Sequence, residues 1–388
     1  MTAASTTAAM PMIHQADVRC IGAFCRVTGG IIGDLMRENA TTPITVAEFE
    51  RLAQQRMAAA PAAWDYYAGG AGDELSLAGN REAWDRLRLR PRVLVDVSAR
   101  DLSTTAFGVP LPHPIVVAPT AAHNLAHADA ERHTARGAAS AGALFTLSTI
   151  ASAPMEEVAA VAPGAPRWFQ LYAPADRDAC RSLLERAASA GYGAIVLTVD
   201  LPYSGNRERD RRNDFAVDLG AHLPPDQPVD PETGIVVMPT MDWDELAWLR
   251  SVCGIPLLVK GILRADDAVR AVDAGCDGIW ISNHGGRQLD TAIAPIDALP
   301  EIAAAVGDRA LLVVDGGVRR GIDVLKGLAL GADLVAVGRP VLWGLAVDGA
   351  GGVQRVLEIL RDELSLAMGL AGCRSIGDIT SDLVQPPR

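Results

Sequence analysis

Eight short apolar runs recur after residue 110, and amphipathic segments separate them. The runs are Ile115–Pro119, Leu144–Thr149, Arg167–Tyr172, Ala194–Asp200, Pro256–Gly261, Gly278–Asn283, Leu311–Gly317 and Leu334–Pro340. They are rich in Val, Ile and Leu without polar alternation, as expected for strands buried on both faces. Between them, Asp129–Ala141, Asp178–Ala190, Ala265–Ala274 and Gly321–Leu330 show helical spacing. Glycine follows each of these segments, at Gly142, Gly191, Gly275 and Gly331, where a helix commonly stops. Strand and helix alternating eight times define an α/β (β/α)8 TIM barrel. An open doubly wound sheet also alternates strand and helix. No Gly-x-Gly-x-x-Gly follows the first run, and the count of eight favours closure.

Two segments lie outside that rhythm. Val46–Met57 and Pro61–Ala68 form an N-terminal helical segment leading into the turn Gly69-Gly70-Ala71-Gly72. Residues 208–242 follow the fourth strand, begin charged, and turn Pro-rich at Pro224, Pro225, Pro228 and Pro231. A long connection at the C-terminal face of a barrel is expected to be a lid. Residues 1–43 are expected to be a disordered extension, with residues 44–388 as one domain.

The chain carries a net charge of −12, which argues against a general nucleic-acid binder. Its six cysteines, at positions 20, 25, 180, 253, 276 and 373, form no Cys-x-x-Cys pair. Neither a zinc site nor a redox dithiol is indicated, and scattered thiols suit the reducing cytoplasm. No apolar stretch reaches the roughly eighteen residues of a membrane span, so no membrane partner is expected. Residues 21–36 are fairly apolar but are interrupted by Arg26 and Asp34.

In barrels of this kind, function gathers where the strands end. The ends are Pro119-Thr120-Ala121, Ser148-Thr149, Gln170-Leu171-Tyr172, Thr198-Val199-Asp200, Lys260-Gly261, Ser282-Asn283-His284, Asp315-Gly316-Gly317 and Gly338-Arg339. Arg207, Arg287, Arg319 and Arg320 follow close behind. Any one of these residues alone is as easily a cap or a turn. A polar group at nearly every end points to a site. The loops after strands seven and eight carry DGGVRRG and GRP. Glycine amides, a helix N-terminus and arginines match the needs of a phosphate.

The sixth end is the richest. In SNHGGRQLD (282–290), His284 can move a proton near neutral pH, and Arg287 offers a fork for a carboxylate. The alternative is a structural histidine in a polar turn. Lys260 ends an apolar strand, where a buried ammonium requires a negative partner. That partner is a phosphate, a reduced flavin, a Schiff-base substrate or a neighbouring carboxylate such as Asp315.

Several motifs fall together in one order: WFQLY (168–172), LTVD (197–200), LVKGI (258–262), SNHGGRQLD, VVDGGVRRGIDVLKGLALGAD (313–333) and VGRPVLWGLA (337–346). Over roughly residues 44–380 the chain resembles the FMN-dependent 2-hydroxy-acid oxidases and dehydrogenases, a family that includes glycolate oxidase, lactate oxidase and mandelate dehydrogenase. Ala122–His127, Ser204–Arg207 and the Trp of GIWISN lean toward bacterial lactate oxidase. The resemblance implies FMN as cofactor and oxidation of an (S)-2-hydroxy acid to the 2-keto acid, with O2 reduced to hydrogen peroxide. It implies a homotetramer as well.

Residue roles follow from the same resemblance. His284 is implied as base, with Asp200 as its partner. Arg207 and Arg287 are implied to hold the substrate carboxylate, and Tyr66 and Tyr172 to bond the substrate. Lys260 is implied to stand beside the flavin ring. Pro119, Thr120, Ala121, Ser148, Gln170, Thr198 and Ser282 are implied flavin contacts. Asp315, Gly317, Arg319, Gly338 and Arg339 are implied to hold the ribityl chain and phosphate.

The chain departs from the pattern at Ile150, where glycolate oxidase has Trp and lactate oxidase Tyr. The usual lid aromatic is missing near Val217, and Tyr203 or Trp243 could replace it. A bulkier aliphatic or aryl substrate is therefore expected. Rival outcomes are a dehydrogenase passing electrons to a quinone or carrier, a 2-monooxygenase, and a flavin-dependent isomerase.

Overall fold

Parallel strands that bury both faces must close on themselves or be covered by helices, and this chain does both. A computed structural model describes residues 42–217, 220–223, 229 and 238–385. The chain divides into two units, Met1–Ile44 and Thr45–Arg388. Only residues 42–44 of the first are described, and they adopt no regular structure. The expected extension at 1–43 and most of the Pro-rich part of the expected lid lie outside the described residues.

The second unit is built on a closed barrel of eight parallel strands. These are β1 (Ile115–Val117), β2 (Leu144–Leu147), β3 (Arg167–Leu171), β4 (Ile195–Thr198), β5 (Leu257–Ile262), β6 (Gly278–Ile281), β7 (Leu311–Val314) and β8 (Leu334–Val337). Each pairs with its sequence neighbour, and β8 closes onto β1 with Val335 beside Ile115. Most strands end two or three residues before the apolar runs do. The trailing polar residues leave the ladder and turn toward the barrel mouth.

Alternate strand residues divide the apolar core in two. Val116, Trp168, Val196, Leu258, Trp280, Val313 and Leu334 form one cluster, in which the Trp168 and Trp280 rings meet edge to face at 6.4 Å. A short hairpin, Thr104–Ala106 with Val109–Leu111, packs against this cluster through Ala106, Leu111 and Phe107. The other strand positions, such as Ile115, Leu147, Leu171, Ile279 and Val314, pack with the helices in the larger cluster.

The expected N-terminal helices are present as α1 (Val46–Arg56) and α2 (Pro61–Ala68). Thr45 and Glu48 close a capping box at the start of α1. A third helix, α3 (Leu75–Arg86), was not legible, because its cap position is Glu74 in the left-handed region without a side-chain cap bond. Its Trp84 is fully buried and donates to Gly316 O at 2.7 Å. The four expected stop glycines all lie in the left-handed region just past their helices. Among the described residues, no helix is long and apolar enough to cross a membrane.

One irregularity matters for the site. The register between β5 and β6 shifts between Lys260 and Ile262, and Gly261 there has φ +108°. A Cβ at Gly261 would lie 2.6 Å from Asp200 Cβ. Only glycine permits both that backbone conformation and that approach.

Candidate active site

The strand ends converge on one cavity at the barrel mouth. Tyr66, Pro119, Thr120, Ala121, Ser148, Tyr172, Arg207, Lys260, His284, Arg287, Asp315, Gly317, Arg319, Gly338 and Arg339 all line it. Gln170, Thr198, Asp200 and Ser282 are not on its wall. Gln170, Asp200 and Ser282 are bonded to wall residues, and Thr198 is bonded to Gln170 behind them.

His284 has φ +59°, a conformation uncommon for any residue but glycine. Its backbone N–H donates to Ser282 Oγ at 3.1 Å, and Nδ1 lies 2.9 Å from Asp200 Oδ1. Burial would raise the Asp200 carboxyl, but His284 and Lys260 outweigh it and hold the group below the ordinary carboxylate range. An ionised carboxylate can only accept, which assigns a proton to Nδ1 and a lone pair to Nε2. Burial pushes the imidazole below its ordinary value despite Asp200, and Lys260 adds to that effect. The ring is thus neutral near pH 7, with Nε2 available as a base.

Lys260 and Asp315 are 4.0 Å apart, so the carboxylate partner left open by the sequence is present. Ser282 sits between them, accepting from Lys260 Nζ at 3.2 Å and donating to Asp315 Oδ1 at 2.7 Å. Trp280 of the inner core donates to Asp315 Oδ2 at 2.9 Å. That link left no mark in the sequence, because a tryptophan inside a strand reads only as core.

The floor is ordered by Gln170. Its Oε1 accepts from Ser148 Oγ and Thr149 N, both at 3.2 Å, and its Nε2 donates to Thr198 Oγ1 at 3.0 Å. On the opposite wall, Thr120 Oγ1 lies 2.6 Å from Nε2 of the buried His123.

Four arginines, Arg207 buried and Arg287, Arg319 and Arg339 half-buried, give the site its electrostatic character, and their hydrogen-bond acceptors are neutral. Arg207 donates to Arg287 O and Gln288 Oε1 at 3.3 and 3.2 Å. Arg287 donates to Tyr66 O and Gly69 O at 2.5 and 3.0 Å and lies over the Tyr66 ring at 4.8 Å. Arg339 bonds the carbonyls of Tyr67, Gly69 and Gly285 at 2.8, 2.8 and 3.0 Å. Arg319 donates to Val318 O at 2.9 Å and lies over Trp343 at 4.6 Å. Burial pulls Arg207 and Arg319 down to about 10, helped by Arg287 and Arg81 respectively. Burial and the nearby Arg287 and Arg319 pull Arg339 to about 9. All remain charged at neutral pH, so the cavity is built for anions.

Tyr66 and Tyr172 are both buried. Burial, then Asp200, raises the Tyr172 phenol far above its ordinary range and keeps it a neutral donor. The missing lid aromatic is neither expected substitute. Tyr203 is 68% exposed, and Trp243 packs against Arg270 at 4.4 Å. Phe215 packs its ring 5.3 Å from Tyr66 but does not line the cavity. Ile150 and Val217 complete an apolar wall beside it.

Chemically, the cavity combines a base with a free lone pair, paired guanidiniums for a carboxylate, and a separate cationic end at Arg319 and Arg339. A flavin mononucleotide suits this donor set: a dianionic phosphate offsets the buried positive charge, and Lys260 suits a ring that gains negative charge on reduction.

Comparison with known proteins agrees. Residues 53–386 match the family model described as FMN-dependent dehydrogenase. L-lactate oxidase of Nostoc sp. is 48% identical over 364 residues, covering 89% of this chain and 98% of its own. Glycolate oxidase 3 of Arabidopsis thaliana is 45% identical over 348 residues, covering 86% of this chain and 94% of its own. Among solved structures, mandelate oxidase superposes with a TM-score of 0.82 at 42% identity, covering 89% of this chain and 98% of that one. The same enzyme with benzoyl-formic acid gives a TM-score of 0.80 at 42% identity, with the same coverage. The chain belongs to the FMN-dependent dehydrogenase family and is an FMN-dependent oxidoreductase.

Proposed function

We propose that this chain oxidises an (S)-2-hydroxy acid with an aliphatic or aryl side chain to the 2-keto acid, with O2 as the final acceptor. The observation that carries this reading is one cavity wall: His284, paired with Asp200, stands with Arg207, Arg287, Tyr66 and Tyr172 around the same space. Arg207 and Arg287 hold the substrate carboxylate, which orients the α-carbon. Tyr66 and Tyr172 donate to substrate oxygens. His284 Nε2 takes the substrate proton, and the imidazolium formed lies against the Asp200 carboxylate. FMN, when bound, would supply the acceptor for the substrate's two electrons and the means of reducing O2 to hydrogen peroxide. Lys260, Ala121 and Ser148, with Gln170 and Thr198 bonded behind Ser148, would hold its ring side, and Asp315, Gly317, Arg319, Gly338 and Arg339 would hold its ribityl and phosphate side.

The side-chain preference rests on the wall of Ala121, Ile150 and Val217, which offers no polar side-chain atom. The relatives named for lactate and mandelate support the same range. Each buried methylene is worth roughly 0.8 kcal/mol, or about fourfold in kcat/KM. Peroxide release with glycolate, lactate, longer 2-hydroxyalkanoates and mandelate tests this. Glycolate is expected to be the poorest substrate, and glycolate as the best would overturn the preference. Turnover only with a quinone would make the enzyme a dehydrogenase. Decarboxylated acid without free peroxide would make it a monooxygenase.

The reading extends to organisation. Residues 44–388 act as one FMN-binding domain with 1–43 outside it, and the enzyme is a homotetramer in the cytoplasm. The free, buried state of Cys180, Cys253, Cys276 and Cys373 supports a reducing compartment. Family resemblance supports the tetramer, which light scattering on the holoenzyme tests.

A further inference from the structure

Two functional side chains, Asp200 and Arg207, sit at opposite ends of the loop that leaves β4. One partners the base, and the other faces the substrate carboxylate. A loop of this length gives no intrinsic guarantee that its two ends keep a fixed geometry. Four hydrogen bonds of this loop go to a single side chain beyond another strand end, Gln288.

The Gln288 amide uses all four of its hydrogen-bonding positions on this loop. Nε2 donates to Asp200 O at 2.8 Å and to Tyr203 O at 2.9 Å. Oε1 accepts from Gly205 N at 3.3 Å and from Arg207 Nη2 at 3.2 Å. The two loops are also in close backbone contact. A Cβ at Gly205 would lie 2.2 Å from Arg287 O and 2.8 Å from Gln288 Cα. Arg207 Nε donates to Arg287 O, so the guanidinium is gripped from two successive residues of the β6 loop. Gln288 itself is four residues from His284 on that loop.

We propose that Gln288 is a positioning residue that locks the acid–base pair and the carboxylate clamp into one geometry. It reaches Asp200 through the backbone carbonyl and Arg207 through the guanidinium. It does not line the substrate cavity and acts only through those two groups. The proposal rests on the roles given to His284, Asp200 and Arg207 in the preceding section. It adds that neither the β4 loop nor the β6 loop sets their relation alone.

The test is steady-state kinetics and pH profiles of FMN-loaded Gln288→Leu and Gln288→Glu, with wild type in parallel. Gln288→Leu removes all four bonds at similar size. Its KM for the preferred 2-hydroxy acid is expected to rise on the order of tenfold, as the Arg207 anchor is lost. Its kcat is expected to fall, and the acid limb of its kcat/KM profile to move, as Asp200 shifts against His284. Gln288→Glu keeps the acceptor but places a carboxylate beside Arg207. That carboxylate competes with substrate and can no longer donate to the Asp200 and Tyr203 carbonyls, so KM rises at least as far as in the leucine variant. Lower melting temperatures with KM and the acid limb within twofold of wild type would show Gln288 to be structural only and overturn the proposal. If wild type turns over no 2-hydroxy acid, the functional reading itself fails. Wild-type turnover with unaffected variants removes this inference alone.

Discussion

At the residue scale the His284–Asp200 pair makes the sharpest predictions. The carboxylate favours the charged ring and burial disfavours it, with burial the larger effect. Activity needs the neutral ring, so kcat/KM should rise with pH through an inflection below about 6.5, the ordinary histidine value. Asp200→Asn removes the charge that supports protonation and the acceptor that fixes the tautomer. Its inflection is expected to move lower still, and kcat to fall by roughly 10²- to 10⁴-fold. A pH–rate series on both proteins checks this, and an inflection that rises in the variant would contradict the assigned pairing. His284, Arg287 and Lys260 were legible because each interrupts or ends an apolar run where only a polar task explains it. Gln288 was not, although it lies in the same SNHGGRQLD run. Its partners are more than eighty residues away in sequence, and the contact exists only once β4 and β6 stand two places apart in the barrel.

At the element scale, the β5 bulge and the β8 end carry the geometry. Gly261→Ala introduces a Cβ into the space of the Asp200 side chain at a backbone angle alanine resists. A displacement near 1 Å is expected to cost about 10²-fold in kcat. The measurement is kcat at full FMN loading, and activity near wild type would show that the bulge has no part in setting the pair. Arg339 ties the end of α2 and the β6 loop to β8 through three backbone carbonyls. Arg339→Met removes three hydrogen bonds, at about 1 kcal/mol each, leaving Gly69 O only its Arg287 donor, and removes a proposed phosphate ligand. A lower melting temperature and a lower flavin-to-protein ratio are expected together. The strands and four of the outer helices were legible, since apolar runs and helical spacing are properties of local sequence. Helix α3 and the aromatic partner of Tyr66 were not. The first lacks a capping signal. The second, Phe215, lies in a charged, irregular loop that shows no periodicity.

For the whole molecule, the barrel explains why one chain gathers residues from positions 66 to 339 into a single cavity. Eight strands end on one face, and each supplies a short polar tail. That arrangement was legible from the alternation alone, whereas the linkage of Trp280 in the inner core to Asp315 at the mouth was not. The concentration of arginine charge in the cavity also has a global consequence, because FMN should stabilise the fold. At a free concentration a hundredfold above Kd the gain is about 2.7 kcal/mol, enough to raise the melting temperature by several degrees. Thermal melts of apo- and holoprotein read that difference. The most direct measurement of the central claim is anaerobic mixing of the FMN-loaded enzyme with 2-hydroxy acids, followed by admission of air. The expected result is loss of the visible flavin absorbance with lactate or a bulkier acid, then its return with release of hydrogen peroxide. Flavin that stays oxidised with every 2-hydroxy acid would contradict the claim.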